Sequence, residues 1–129
     1  MEWREPSVKA PKIIGLIRDV LMARKITEKA KQYGLSAQHM DRAEFLVRHV
    51  EGRVPILIIL DWEGCEPECF KLLKQMTEMA DLKKVPVIGF FSKNKQEISE
   101  EARRAGCDRL YGKSEFISHL DELLIRYAR

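Results

Sequence analysis

Two charged residues stand where short apolar runs break off. Asp61 abruptly ends Val54-Pro55-Ile56-Leu57-Ile58-Ile59-Leu60, and Lys113 follows a shorter run near Asp108 to Tyr111. If both runs are neighbouring strands of one sheet, a carboxylate and an ammonium leave the same sheet end and converge. Arg18-Asp19 after a first run and Phe91-Ser92-Lys93 after a fourth would join them. The plainer reading of the pair is that Asp61 caps the turn that follows it and Lys113 is its ion-pair partner. Trp62, beside this point, reads as a lid, a partner contact or a ring leaning over a loop. Ser92 also suits a helix-entry hydrogen bond before Asn94.

Other chemistries find little to hold. No Gly-rich phosphate loop follows the first strand, which argues against nucleotide and dinucleotide binding, and Arg18-Asp19-Val20-Leu21 is not the hydroxyl- and glycine-rich loop a flavin needs. Cys65 and Cys69 have a ligand-like spacing that His39, His49 or His119 could complete into a zinc site on paper, but no second closely spaced ligand pair exists. Cys65, Cys69 and Cys107 therefore read as reduced, packed thiols. No nucleophile stands in a recognisable catalytic context, so the expectation is a chain that is not an enzyme.

The elements that must position these residues follow from alternating periodicities. Lys12 to Ile17 is a nearly continuous apolar run, as expected of a strand covered on both faces. Met22, Ile26, Ala30 and Tyr33 then recur at helical spacing, with Gly34 at the C-terminal cap. Ser36 to Met40 is a polar strand suited to a sheet edge. Asp41-Arg42-Ala43-Glu44 looks like a capping box for a helix carrying Phe45, Leu46 and Val50 and stopping at Gly52. After the central Val54 to Leu60 strand, Glu63-Gly64-Cys65-Glu66-Pro67 is turn-like, and Cys69, Leu72, Leu73, Met76 and Met79 line a third helix. Val85 to Phe91 is a fourth strand. Asn94-Lys95-Gln96-Glu97 opens a charged helix with Ile98, Ala102 and Ala105 that ends at Gly106. A last helix buries Phe116, Leu120, Leu123, Leu124 and Tyr127.

Five strands alternating with five helices predict an α/β domain: a parallel sheet with helices on both faces, joined by right-handed crossovers. Ligands of such folds sit outside the carboxyl ends of the strands. With 129 residues the chain fits one domain that buries about two thirds of its unfolded surface, with residues 1–11 as a loose lead-in and 12–129 as the domain. The formal net charge is +3, with basic and acidic residues interleaved, which gives nucleic-acid binding little support. No apolar run is long enough for a membrane span and the start lacks a secretion signal, so the expectation is a cytoplasmic protein without membrane contact.

From Lys12 to Tyr127 the sequence resembles the receiver domains of two-component response regulators. The likeness rests on the strand ending in Asp61, the Val87 to Ser92 strand ending in a hydroxyl residue, and Ala105-Gly106-Cys107 placed before Lys113. Val87 to Ser92, Ala105 to Leu110 and Ser114-Glu115-Phe116 are also similar to a group of uncharacterised bacterial receiver-like proteins. The resemblance implies a flavodoxin-like, three-layer (βα)5 sandwich with strand order 2-1-3-4-5. It implies Asp61 as phosphoacceptor, Ser92 and Lys113 as phosphate contacts, and an acidic, magnesium-holding pair after the first strand.

The sequence departs from that pattern. Counting back from Gly34, the acidic pair falls on Ile17 and Arg18, unless a one-residue slip lets Asp19 stand for one acid. Counting back from Gly106 puts Phe91 at the hydroxyl position, and Ser114 replaces the proline that normally follows the lysine. Arg18 thus puts a cation where a metal would be held, and the expectation is that Arg18 and Lys113 both pair with Asp61. The implied function is a degenerate receiver, with no cofactor, acting through phosphorylation-independent protein association. The alternative is a true phosphoacceptor that uses Mg²⁺ and Asp61 in a phosphorelay. Partners implied are a histidine kinase, a downstream effector or a second copy, on a face formed by Arg103, Arg104, Arg109, Tyr111 and Glu100.

Overall fold

A computed structural model describes residues 12–49, 54–91 and 96–127, with the side chains of Gln96 and Glu97 left aside. The expected lead-in, Val50, Gly52, Ser92 and the start of the second capping box lie outside the described residues. Strands and helices alternate: β1 (Lys12–Leu16), α1 (Val20–Gln32), β2 (Ser36–Met40), α2 (Ala43–His49), β3 (Leu57–Asp61), α3 (Glu66–Thr77), β4 (Val87–Phe91), α4 (Gln96–Ala105), β5 (Arg109–Gly112), α5 (Lys113–Ser118) and α6 (Leu120–Tyr127).

The five strands form one parallel sheet of order β2-β1-β3-β4-β5. This is the flavodoxin-like arrangement that the resemblance implied. All five residues of β3 are buried, as befits the middle strand. Side chains alternate across a strand, so Ile58 and Leu60 enter one core layer and Leu57 and Ile59 the other. The first layer is completed by Leu46 of α2, Leu72 and Met76 of α3 and Ala102 of α4. The second takes Met22, Ile26 and Ala30 of α1, Phe116 of α5 and Leu120, Leu123 and Leu124 of α6. Each fully buried Leu, Ile or Phe contributes about 1.5–3 kcal/mol, so burial on both sheet faces is the main force holding the sheet. No helix among the described residues is long and apolar enough to cross a membrane.

Helix ends follow local chemistry. Gly34 (φ +73°) and Gly106 (φ +119°) adopt the left-handed conformation that stops α1 and α4, as their positions predict. The Asp41–Glu44 capping box does not form. Instead Glu68, from α3, accepts the Ala43 N–H at 2.8 Å, so the cap of α2 is supplied across the helix pair. Phe45 is not in the buried stripe: it is 45% exposed, with the Arg42 guanidinium 6.0 Å from its ring centroid. Tyr33 likewise stays outside, its hydroxyl donating to Asp121 at 3.0 Å. Met79 packs on the core but lies beyond the end of α3.

The expected last helix is two pieces. The His119 N–H and ring Nδ1 both converge on the Glu115 carbonyl, at 3.1 and 2.9 Å, and the helix restarts at Leu120.

On the edge strand, His39 Nε2 lies 2.9 Å from Thr27 Oγ1, whose single proton is donated to the Ala23 carbonyl at 2.9 Å. Nε2 must then carry the imidazole proton. Bare Nδ1 has no partner and presses on Gly15, where a Cβ would lie 2.5 Å away. Burial pushes the His39 pKa down, the Ala23 backbone acting weakly against it.

Candidate functional site at the carboxyl ends of the strands

Asp61 is the last residue of β3 and the one polar side chain among the described residues that is fully buried, at 2% exposure. An ionised carboxylate is tolerated there only if its lone pairs are used. Four backbone amides use them. Glu63 and Gly64 donate to Oδ1 at 3.2 and 2.8 Å, from the turn that follows β3. Arg18 and Asp19 donate to Oδ2, both at 3.3 Å, from the β1–α1 loop. One side chain thus ties two loops together.

The turn is closed by Cys65 N–H on the Asp61 carbonyl at 2.9 Å, and Cys69 Sγ donates to the same carbonyl at 3.6 Å. Gly64 is needed for this closure. A Cβ there would sit 2.6 Å from Asp61 Oδ2, 3.1 Å from its Cγ and 3.2 Å from Arg18 Cβ. In the sequence Gly64 stands out only as a turn residue. The pattern that would have exposed its role is Asp followed three residues on by Gly, an Asx-type turn in which the side chain bonds its own backbone ahead.

Asp19 begins α1 as its N-cap, with Oδ1 accepting from Met22 N–H at 3.1 Å. Its Oδ2 takes the Lys113 ammonium. The Lys113 contact, then the Met22 amide, hold the Asp19 carboxyl below its ordinary pKa. The same contact, reinforced by the nearby charges of Asp61 and Glu63, raises the Lys113 pKa.

This corrects the expected pairing. Arg18 contributes its backbone N–H to Asp61, while its side chain is exposed and makes no ion pair among the described residues. Lys113 pairs with Asp19. The physical reason is that Asp61 is already saturated by amides, whereas capping α1 leaves Asp19 one oxygen turned to the ammonium. At the other acidic-pair position, Ile17 is buried in the apolar layer with Met22 and Phe116. Phe91, at the hydroxyl position, is half-buried against the opposite layer, and Ser92 lies outside the described residues.

Trp62 is no lid. It is fully buried, its ring edge-on to Phe70 at 4.9 Å and close against Gly89, where a Cβ would lie 2.5 Å from the indole. Its N–H meets no oxygen acceptor and faces the Cys107 thiol. Burial pushes Cys107 and Cys65 up to about 11, and Cys69 higher still, with the Asp61 charge adding to the rise at Cys65 and Cys69. Among the described residues no cluster of three His, Cys, Asp or Glu could hold a metal, so the paper zinc site does not assemble.

The magnesium site that the resemblance implies does not fit these residues either. Mg²⁺ needs free carboxylate oxygens in near-octahedral array. Both oxygens of Asp61 face amide donors, and those of Asp19 face a helix N-terminus and an ammonium.

Of the expected interaction face, Arg103, Arg109 and Tyr111 line one groove of about 380 Å³ together with Ser99 and Glu115. Arg104 and Glu100 are exposed but do not line it.

No protein-family model matches the sequence, and no curated protein does. The fold, however, is similar to solved structures over nearly its whole length. The receiver domain of a Francisella response regulator is 19% identical with a TM-score of 0.74, covering 92% of this chain and 96% of that one. A chemotaxis response regulator of Vibrio cholerae is 13% identical with a TM-score of 0.77, covering 92% and 99%. The receiver domain of a sensor histidine kinase from Pseudomonas aeruginosa, solved with a magnesium ion coordinated in its active-site cleft, is 16% identical with a TM-score of 0.77, covering 92% and 98%. The strand order, the two helical layers and the placement of Asp61 and Lys113 at one sheet end are thus set in the fold of response-regulator receiver domains.

Proposed function

We propose that this chain is a receiver-type signalling domain that works by phosphorylation-independent association with a protein partner. A histidine kinase or a downstream effector is the partner class we assign, since two of the neighbours are response regulators and a third is the receiver domain of a sensor kinase. The partner surface is the α4–β5–α5 face, on Arg103, Arg109 and Tyr111.

One observation carries this reading: the Asp61 carboxylate is buried and both its oxygens accept backbone N–H groups. Attack on phosphorus needs an oxygen lone pair in line with the leaving group, and charge stabilisation around the transferred group. Freeing one oxygen breaks two hydrogen bonds to a charged group, at about 1.5–3 kcal/mol each for well-formed ones. Each 1.4 kcal/mol is about tenfold in rate. A magnesium ion of the kind held by the Pseudomonas domain would in addition have to displace Lys113 from Asp19.

The competing reading keeps Asp61 as phosphoacceptor, and the position of Asp61 and Lys113 at the ends of β3 and β5 favours it. Incubation with acetyl phosphate, with and without magnesium, followed by intact-mass measurement, separates the two. The expected result is unmodified protein in both. Stoichiometric, magnesium-dependent modification mapped to Asp61 overturns the proposal.

A further inference from the structure

Three buried side-chain oxygen or nitrogen atoms among the described residues have no hydrogen-bond partner: Ser36 Oγ, Trp62 Nε1 and His39 Nδ1. Of these only His39 Nδ1 can take up a proton near neutral pH. Its ring is gripped from two sides. Thr27 of α1 holds Nε2, and Gly15, opposite His39 in the β1–β2 ladder, leaves the gap that Nδ1 fills. A Cβ on Gly15 would lie 2.5 Å from Nδ1 and 2.7 Å from Ile17 Cδ1. The gap suits a neutral imidazole alone. A proton on Nδ1 makes a second donor that points at the Gly15 backbone and the Ile17 methyl, with no acceptor placed to take it.

No fixed charge compensates. On α1, Arg24 and Lys31 stand one turn to either side of Thr27 and Glu28 next to it, all three exposed. The same face of β1 carries the apolar Ile13 and Ile17, and Asp41, past the end of β2, is exposed. None of these charges moves the ring, whose pKa is lowered by burial, with the Ala23 backbone acting against it. What the ring holds is a sheet edge, since β2 is bonded to β1 alone. Directly after His39, the Met40 carbonyl accepts the Ile17 N–H at 2.8 Å, and Ile17 leads into Arg18 and Asp19, whose amides hold Asp61.

We propose that His39 is a proton-operated latch on this edge: protonation drives the ring out of the gap between Gly15 and Thr27, and the end of β2 parts from β1 while the inner strands stay paired. Proteins open locally at less cost than they unfold, and a ring that is neutral when seated and charged when free makes the opening depend on pH. Opening takes up a proton, so it is favoured as pH falls below the ordinary histidine value of 6.5. With the seated ring neutral, it grows about tenfold between pH 7.5 and pH 5.5, where the free ring passes from mostly neutral to mostly charged. The loop that clamps Asp61 thereby loses its Met40 anchor in acid.

Amide exchange of the whole chain, read by NMR at both pH values and corrected for intrinsic rates, tests this at Ile17. Ile58 of β3, whose N–H is bonded to the Pro86 carbonyl, is the reference. Protection of Ile17 is expected to fall about tenfold and to be insensitive to low urea, as for a local opening, whereas exchange at Ile58 rises with urea, as for global unfolding. His39→Gln should abolish the fall. Thr27→Val, which removes one side of the grip, should lower Ile17 protection at both pH values and raise the midpoint of the His39 ring titration, followed by its Cε1–H resonance. A single urea slope shared by Ile17 and Ile58 overturns the latch and leaves His39 acting on global stability alone. So does a His39 ring that titrates while Ile17 protection holds, a fall that persists in His39→Gln, or a ring midpoint that Thr27→Val does not move.

Discussion

Replacing Asp61 by asparagine keeps the shape of the side chain and changes only what its atoms can do. One amide oxygen can still accept from Gly64 and Glu63, but without the charge that makes such bonds about twice as strong. The new NH₂ group then faces the Arg18 and Asp19 amides, donor against donor. Halving two bonds worth about 1.5–3 kcal/mol each, and losing the two longer ones at about 0.5–1.5 kcal/mol each, gives a destabilisation of about 2.5–6 kcal/mol. For a chain of this size that is a fall in Tm of roughly 10–20 °C. Urea unfolding measures it directly, and the m-value should stay constant so that the midpoint shift is a stability change. Asp61→Ala should cost more, because four amides are then left without an acceptor. A cluster of acids behaves in the opposite way: removing one charge there relieves repulsion and raises stability. An Asp61→Asn variant as stable as the parent, or more so, refutes the account of a carboxylate held by amides.

Gly89→Ala should destabilise by about 1–3 kcal/mol, since its methyl would meet the buried Trp62 indole, and a near-UV circular dichroism change should accompany the lower denaturation midpoint. The Asp19–Lys113 pair gives an acid-side signature. The folded pKa of Asp19 is lowered, so its contribution is present above the ordinary value of 3.8 and is lost as pH falls through the folded value; Asp19→Asn, which can still cap α1, should flatten that limb of a stability–pH profile. His39 acts at milder pH. Its folded pKa is depressed by burial, so below the ordinary value of 6.5 the unfolded chain binds the extra proton and stability falls with pH; His39→Gln should remove that slope between neutral pH and the acid limb.

The elements were legible because their signals are short-range. The apolar run before Asp61, the helical spacing of Met22, Ile26 and Ala30, and glycines at helix ends each act within a few residues, and Gly34 and Gly106 stop their helices where the pattern says. Ser36 to Met40 was recognisable as an edge strand by its polarity, and it forms with the expected bounds. The site was legible in its members and not in its bonds. Arg18, Asp19, Asp61 and Lys113 do meet at one sheet end, but a sequence names side chains, whereas the Asp61 carboxylate is satisfied by backbone. Charge counting therefore assigned Lys113 to the wrong acid. The cap of α2 was missed for a related reason: Glu68 comes from another helix, and no local pattern announces it. Trp62 was misjudged because its burial depends on Gly89, a residue on a different strand.

The sheet divides the interior into two compartments that share no side chain, so repacking in one should pass little strain to the other. Like the inner strands, β5 sends side chains to both, but it does so at an edge of the sheet. Leu110 packs against the compartment beneath α4 and Tyr111 against the one beneath α5 and α6, and both line the same groove. A molecule seated on that edge is therefore in touch with both halves of the interior at once, which makes this outer strand a place where an external contact can be felt throughout the domain.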